Sequence, residues 1–412
     1  MNRRGEKVQR AAERSIEEAV MGFLRVFFFS ATPLHGTERG KEDHLSEITR
    51  NRDSSAMGIG SREIASIQFI SEAPVDVAMG VLRRHGLSAL WRRCVRERGL
   101  WDLLPSALQK GLETDYRKAV GRAMVQEQAL DQIAELFGRK RFDWLVFKGQ
   151  HLAKAVYSEE SLRTSVDIDL LVRNRDLNAV FKVLEESGFT LLPPTSSRTH
   201  ERSLSGRGVT LDVHWGFARP GRSHIDLAEA SLLSRKPMPN GWWVADNAET
   251  LTMLLVHPAL TDYVTGRLNR AVDLHLWLKD QERHRGSQEK HNDSEIDPRG
   301  RGSEQSEDMT EALRLIDNAG LKTAAWATAW WTYHWLGGVH EHRIAQTTCP
   351  SRLMQRYLEF WLERDPARIY DRFPSVARAG FSLMLQENWS ARFHAVVALL
   401  KKLGWEAFKP AR

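Results

Sequence analysis

Two aspartates one residue apart, Asp167 and Asp169, interrupt an apolar run that reads V-D-I-D-L-L-V over 166–172. Side chains alternate along a strand, so both carboxylates are expected on one face, with Val166, Ile168 and Leu170 on the other. Like charges this close raise each other's pKa and cost free energy unless a cation or hydrogen-bond donors compensate. A divalent metal is the economical partner, and Mg²⁺ (or Mn²⁺) is held by one or two carboxylates together with phosphate oxygens and water. A second alternating run, 209–215, sets Thr210, Asp212 and His214 against Leu211, Val213 and Trp215. If this strand lies beside the first, Asp212 is a third carboxylate, either a metal ligand or a base toward an attacking hydroxyl. Lys148-Gly149 falls between an apolar run and a segment of helical composition. Helix-start N–H groups, a glycine that permits close approach and a neighbouring lysine together suit a phosphate. A solvated edge strand and an ordinary turn are the competing readings of the same residues.

The elements that would position these groups form a mixed α/β segment. Residues 144–147 read as a strand, 150–157 as a helix, and 166–172 as a second strand. Asn174 is placed to cap a helix carrying Leu177, Val180, Phe181 and Leu184, which Gly188 stops. The turn Ser205-Gly206-Arg207-Gly208 precedes a hairpin strand. Helical periodicity runs from about 63 to 138, with Leu87, Leu90, Trp91, Cys94 and Val95 on one stripe and Arg92, Arg93, Arg96 and Arg98 mainly on a solvated face. Helices are also expected over 249–257, ended or kinked by Pro258, then over 268–279, 311–335 and about 351–407. Trp326, Trp330, Trp331 and Trp335 read as a packing stripe. The polar stretches 32–62 and 280–310 have too few apolar residues to offset their ordering entropy and are expected to be mobile.

The 412 residues suffice for two or three domains. Lys+Arg 59 against Asp+Glu 53 gives +6, which permits anionic partners without requiring them. Cys94 and Cys349 are too few and too far apart for a disulfide framework or a thiolate zinc site, so a reducing cytoplasm is expected. The apolar stretch 19–31 contains Arg25 and follows an acidic leader, which fits an amphipathic helix packed on the protein rather than a membrane span or secretory signal. The sequence has no complete dinucleotide fingerprint, G-x-S-x-G or H-E-x-x-H motif.

Taken together, F-K-G at 147–149, R-T-S-V-D-I-D-L-L-V at 163–172, the helix ending at Gly188-Phe189 and L-D-V-H-W at 211–215 resemble the bacterial nucleotidyltransferase-like family of the DNA polymerase β nucleotidyltransferase superfamily. The close resemblance covers about 142–215. It implies an α+β fold, a small mixed β-sheet core flanked by mainly helical regions. It also implies Mg²⁺ at Asp167, Asp169 and Asp212, and attack on the α-phosphate of a nucleoside triphosphate with release of pyrophosphate. The superfamily carries Gly-Ser in the turn, whereas here Gln150 follows Gly149 and Asp167 comes later.

Lys148, Gly149 and Arg163 are therefore the nucleotide-binding candidates, with Arg163 equally placed to pair with Asp167 or Asp169. His214 reads as a strand histidine bonded to a neighbour, with orientation of Asp212 or contact with the acceptor as alternatives. His257 and Asp273 read as a buried structural pair. The expected domains are an N-terminal helix and mobile segment (1–62), a helical region (63–140), the α/β core (141–245) and a C-terminal helical domain (246–412) with a disordered insertion at 280–310. The expected activity is metal-dependent transfer of a nucleoside monophosphate to a hydroxyl on a small molecule, a protein or RNA. The rival is an inactive nucleotide- or partner-binding regulator, for example a toxin–antitoxin component.

Overall fold

The computed structural model describes residues 3–29, 61–193, 200–217, 226–262, 264, 267–289 and 307–363, with isolated positions from 380 onward. The polar stretch 32–60, residues 290–306 and the helices expected beyond 363 lie outside the described residues. The chain divides into two compact units, Met1–Gly121 with Tyr157–Thr164, and Arg122–Val156 with Ser165–Arg412.

The first unit is helical: α1 (Arg3–Phe29), α2 (Ser61–Glu72), α3 (Val75–Arg84), α4 (Ser88–Glu97) and the first half of α5 (Ser106–Lys140). Phe27 and Phe28 are buried and Phe23 meets Trp91 edge to face at 6.0 Å, so the apolar end of α1 packs within the protein as expected. The stripe Leu87, Leu90, Trp91, Cys94 and Val95 is buried throughout. The arginines opposite it are engaged by carboxylates: Arg92 and Arg96 by Glu113, Arg93 by Glu97 and Glu159, and Arg98 by the fully buried Glu63 at 3.0 Å. Such pairing leaves little uncompensated charge for a nucleic-acid face.

The second unit begins with the rest of α5 and is built on a seven-stranded mixed sheet, larger than expected. Its elements are β1 (Trp144–Val146), α6 (Gly149–Val156), β2 (Ile168–Val172), α7 (Leu177–Glu186), β3 (Thr190–Leu191), β4 (Glu201–Gly206), β5 (Val209–His214), α8 (Leu227–Leu233), β6 (Lys236–Pro237) and β7 (Trp243–Val244). Helices α9 (Asn247–Asp262), α10 (Asn269–Glu289), α11 (Glu307–Asn318), α12 (Lys322–Leu336), α13 (Val339–Thr347) and α14 (Arg352–Leu362) follow. Strand order is β3-β4-β5-β2-β1-β7-β6, with β2 parallel to β5 and antiparallel to β1. The alternation expected from sequence sets the faces. Ile168, Leu170, Val172, Leu211 and Val213 join Leu130, Ile133 and Phe137 of α5 and Val180 and Leu184 of α7 in one core.

Four local readings change. Strand β2 starts at Ile168, not Val166, which is 56% exposed. Asn174 opens a 3₁₀ turn, and α7 begins after it. Helix α9 runs through Pro258 to Asp262, since proline removes one backbone bond while the packing of a helix buried on most sides holds. Helix α10 extends to Glu289, into the segment whose composition predicts mobility. Trp326, Trp331 and Trp335 are buried, in line with a packing stripe. Among the described residues no single helix is long and apolar enough to cross a membrane.

The β4–β5 hairpin turns on Arg207 and Gly208, both at positive φ (51° and 78°), as a two-residue turn matched to strand twist requires. Just before it, a Cβ on Gly206 would lie 2.7 Å from the Gly188 carbonyl oxygen and 2.9 Å from Phe189 Cα. Gly206→Ala must push strand and backbone apart, so a loss of about 1–3 kcal/mol is expected. Urea unfolding of the two proteins measures it, and an unchanged midpoint would contradict this packing.

Candidate active site

The polar face of the sheet is assembled by register. Parallel pairing of β2 with β5 sets Asp169 directly against Asp212, and Leu171 against His214. Antiparallel pairing of β4 with β5 sets Glu201 against His214 and Ser203 against Asp212. Asp167 sits in the bend immediately before β2. Its main chain is held by three side chains: the carbonyl accepts from Ser165 Oγ at 3.0 Å, Gln150 Nε2 at 3.2 Å and Gln126 Nε2 at 3.4 Å. Ser165 Oγ also reaches Asp167 Oδ1 at 3.3 Å.

Each carboxylate has a different electrostatic setting. Burial would raise the Asp169 pKa, but Lys148 and then His214 outweigh it and hold this carboxyl well below the usual range. Lys148 Nζ donates to Asp169 Oδ1 at 3.3 Å, and His214 Nε2 lies 3.1 Å from the same oxygen. Asp167 is pushed up, first by burial and then by the charges of Asp169 and Asp212. Asp212 Oδ1 is buried and, among the described residues, accepts no hydrogen bond. Asp169, Asp212 and His214 each offer a ligand atom within 4.8 Å of the others. A buried carboxylate oxygen without a donor, beside two further carboxylates, is a donor set that fits a hard dication.

Lys148 and Gly149 make the turn from β1 into α6. Lys148 has φ 60°, a left-handed conformation that is strained for a residue with a side chain. Its ammonium lies against Asp169 and 4.4 Å from the Phe147 ring centroid. The position a Cβ would take on Gly149 is 3.3 Å from Ser165 Oγ. A hydroxyl therefore stands at this turn, supplied by Ser165 and not by the residue after the glycine. Arg163 follows the 3₁₀ turn Glu160–Leu162, which belongs to the first unit, and its N–H bonds the Glu160 carbonyl.

His257 is buried on α9, where Thr261 Oγ1 lies 3.2 Å from its Nδ1. Burial, and after it the charges of Lys148, Arg270, His214 and His200, push its pKa well down, so the ring is neutral at physiological pH. Asp273 is buried on α10. Sequence reasoning passed over Ser165, Gln126, Gln150, His200 and Glu201. Counting back from the two-residue turn would have found Glu201 opposite His214, whereas the two amides on the Asp167 carbonyl come from separate helices and leave no local pattern.

The opposite shifts of Asp169 and Asp167 predict opposite mutational effects. A pKa lowered in the folded state contributes stability above the ordinary carboxylate value of about 3.9, lost as pH falls through the folded value. Asp169→Asn should therefore destabilise the metal-free protein at pH 7 by about 1–3 kcal/mol, the difference closing in acid. A raised pKa acts the other way, so Asp167→Asn should raise the metal-free Tm at pH 7, by roughly 2–4 °C per ~1 kcal/mol relieved. That gain should vanish once pH falls below the ordinary carboxylate value. Thermal unfolding across pH 3–8 for the three proteins checks both signs.

No curated protein matches the chain. A family model described as an uncharacterised nucleotidyltransferase matches residues 71–289, more than half of the chain, a span that contains every strand of the sheet and all three aspartates. The chain belongs to this uncharacterised nucleotidyltransferase family.

Proposed function

We propose that the protein is a metal-dependent nucleotidyltransferase that transfers a nucleoside monophosphate from a nucleoside triphosphate to a hydroxyl-bearing acceptor. The observation that carries this reading is the direct pairing of Asp169 with Asp212 on parallel strands, with a buried oxygen of Asp212 left without a donor. Family membership supports it at the level of the transferase class.

Asp167, Asp169 and Asp212 would hold Mg²⁺ or Mn²⁺, which when bound neutralises phosphate charge and aligns the reacting oxygens. The chain's own groups do the rest. Asp212 Oδ1, free of hydrogen bonds, accepts the proton of the acceptor hydroxyl as its oxygen attacks the α-phosphorus. The bond from that phosphorus to the bridging oxygen breaks, and pyrophosphate leaves. The N–H groups at the start of α6, reached closely past Gly149, receive phosphate oxygens, and the Ser165 hydroxyl beside Gly149 would add a donor on turning from the Asp167 carbonyl. Lys148, which pairs with Asp169 in the metal-free protein, would be free to turn toward phosphate once a dication balanced that carboxylate. Asp167, whose pKa burial and the charges of Asp169 and Asp212 raise, would be relieved of that repulsion in a loaded site.

Titration of the four ribonucleoside triphosphates by calorimetry, with and without Mg²⁺, into wild type and an Asp167→Ala/Asp169→Ala double variant tests this reading. Metal-dependent binding that the variant loses is expected. Ligand at about 100 times its Kd should also stabilise wild type by ~2.7 kcal/mol. A folded wild type that binds no triphosphate in either condition would favour the regulator that keeps the fold without transfer.

A further inference from the structure

A second set of ligand atoms meets on the other side of the His214 ring. His214 Nε2 lies 3.1 Å from Asp169 Oδ1. An ionised carboxylate only accepts, so Nε2 carries the ring proton. The other ring nitrogen, Nδ1, then presents its lone pair. It is buried, makes no hydrogen bond, and stands 3.3 Å from Glu201 Oε2, which is also an acceptor. A buried acceptor facing a partly exposed carboxylate at this spacing suits a cation between them.

His200 completes the set. Its Nε2 is 3.7 Å from the same Glu201 oxygen, and one ligand atom from each of His200, Glu201 and His214 falls within 4.8 Å of the others. Ligand atoms at about 2.1 Å from a tetrahedral ion stand about 3.4 Å apart, so both measured spacings suit one. Both imidazoles are more than nine-tenths buried, while the Glu201 side chain is 40% exposed and leaves an approach for ion and water. Register fixes the arrangement, since Glu201 and His214 are direct partners in the β4–β5 hairpin and Trp215 N–H donates to the His200 carbonyl.

We propose that His200, Glu201 and His214 bind a transition-metal dication of the zinc class. Two nitrogens and one carboxylate select Zn²⁺, Co²⁺ or Ni²⁺ over Mg²⁺, whereas the all-oxygen aspartate set favours the harder ion. His214 ligates through Nδ1 and donates Nε2–H to Asp169, the arrangement in which a carboxylate orients a metal-bound imidazole. The ion thereby ties the start of β4 to β5 and fixes the His214 tautomer that holds Asp169 in place. The site needs no nucleotide and no turnover, so it stands or falls apart from the transfer reading. Its competitor is a second proton on His214, an imidazolium between two carboxylates.

The full chain, stripped with a chelator, is titrated with Zn²⁺ by calorimetry and with Co²⁺ by visible absorption, for wild type, His200→Gln, Glu201→Gln and Asp167→Asn/Asp212→Asn. Circular dichroism first establishes that each variant is folded, and the partly exposed Glu201→Gln carries the test if His200→Gln is not. One equivalent bound by wild type and by the aspartate double variant is expected, with Co²⁺ bands of nitrogen ligation. That equivalent should be lost in His200→Gln and Glu201→Gln and should persist in excess Mg²⁺. Absence of a bound equivalent in wild type, or Co²⁺ bands unchanged by His200→Gln, would overturn the proposal in favour of the imidazolium. Mg²⁺-dependent triphosphate binding by the untouched wild type, measured separately, reports on the transfer reading.

Discussion

Negative charge gathered on one face of a buried sheet is the constraint around which the second unit is organised. Asp169 and Asp212 cannot avoid each other, because parallel pairing makes them neighbours, and Asp167 precedes them by one bend. Among the described residues, Asp169 alone of the three is paired with a cation. Lys148 and His214 converge on a single oxygen of Asp169, while Asp167 receives a hydroxyl and Asp212 Oδ1 receives nothing. A site meant only to be stable would neutralise all three or replace them, since buried charge without a partner is costly. Leaving two carboxylates under-compensated keeps coordination capacity for a ligand from outside.

Most of this arrangement was legible in the sequence, for a geometric reason. Period-two alternation in 166–172 and 209–215 depends on the chain alone, so the faces of β2 and β5 could be assigned without knowing what covered them. The hairpin was legible because two residues at positive φ need Gly or a tolerant polar residue, and Arg207-Gly208 supplies one. The size of the sheet was not. Strands β3, β6 and β7 are two residues long, too short to show any period; β3 and β7 pair with the longer β4 and β1, and β6 pairs with β7. Val166 misled for a related reason: a valine in an apolar run reads as strand, but the carbonyl of Asp167 is captured by side chains and the ladder begins one residue later.

The site itself was legible in its acids and obscure in its supports. Asp167, Asp169, Asp212 and Lys148 declare themselves by residue type in an apolar setting, whereas Gln126 and Gln150 are unremarkable glutamines on helices whose amides happen to meet one carbonyl. Ser165 lies within the quoted motif, yet its place beside Gly149 depends on a chain reversal between α6 and β2 that no spacing encodes. Ser165 sets beside Gly149 a hydroxyl that the residue after the glycine lacks. A departure from a family's motif is therefore a weak argument for lost chemistry until the neighbouring loop has been placed.

His214 shows how one ring couples the two halves of this face. Its Nε2 is committed to Asp169, so whatever sits at Nδ1 acts on the acidic cluster through the ring. A proton at Nδ1 would make His214 cationic and draw it more strongly to Asp169, competing with any ion for that oxygen. A metal at Nδ1 fixes the tautomer and orientation while its charge is shared with Glu201 and His200. The neutral, buried His257 points to which state the surroundings tolerate. Its ring is kept uncharged first by burial and then by neighbouring positive charge such as that of Lys148, so an uncompensated charge buried in these surroundings is costly. A dication buried here is favoured only if it brings its own anionic ligand, and Glu201 is the residue that register sets in that position.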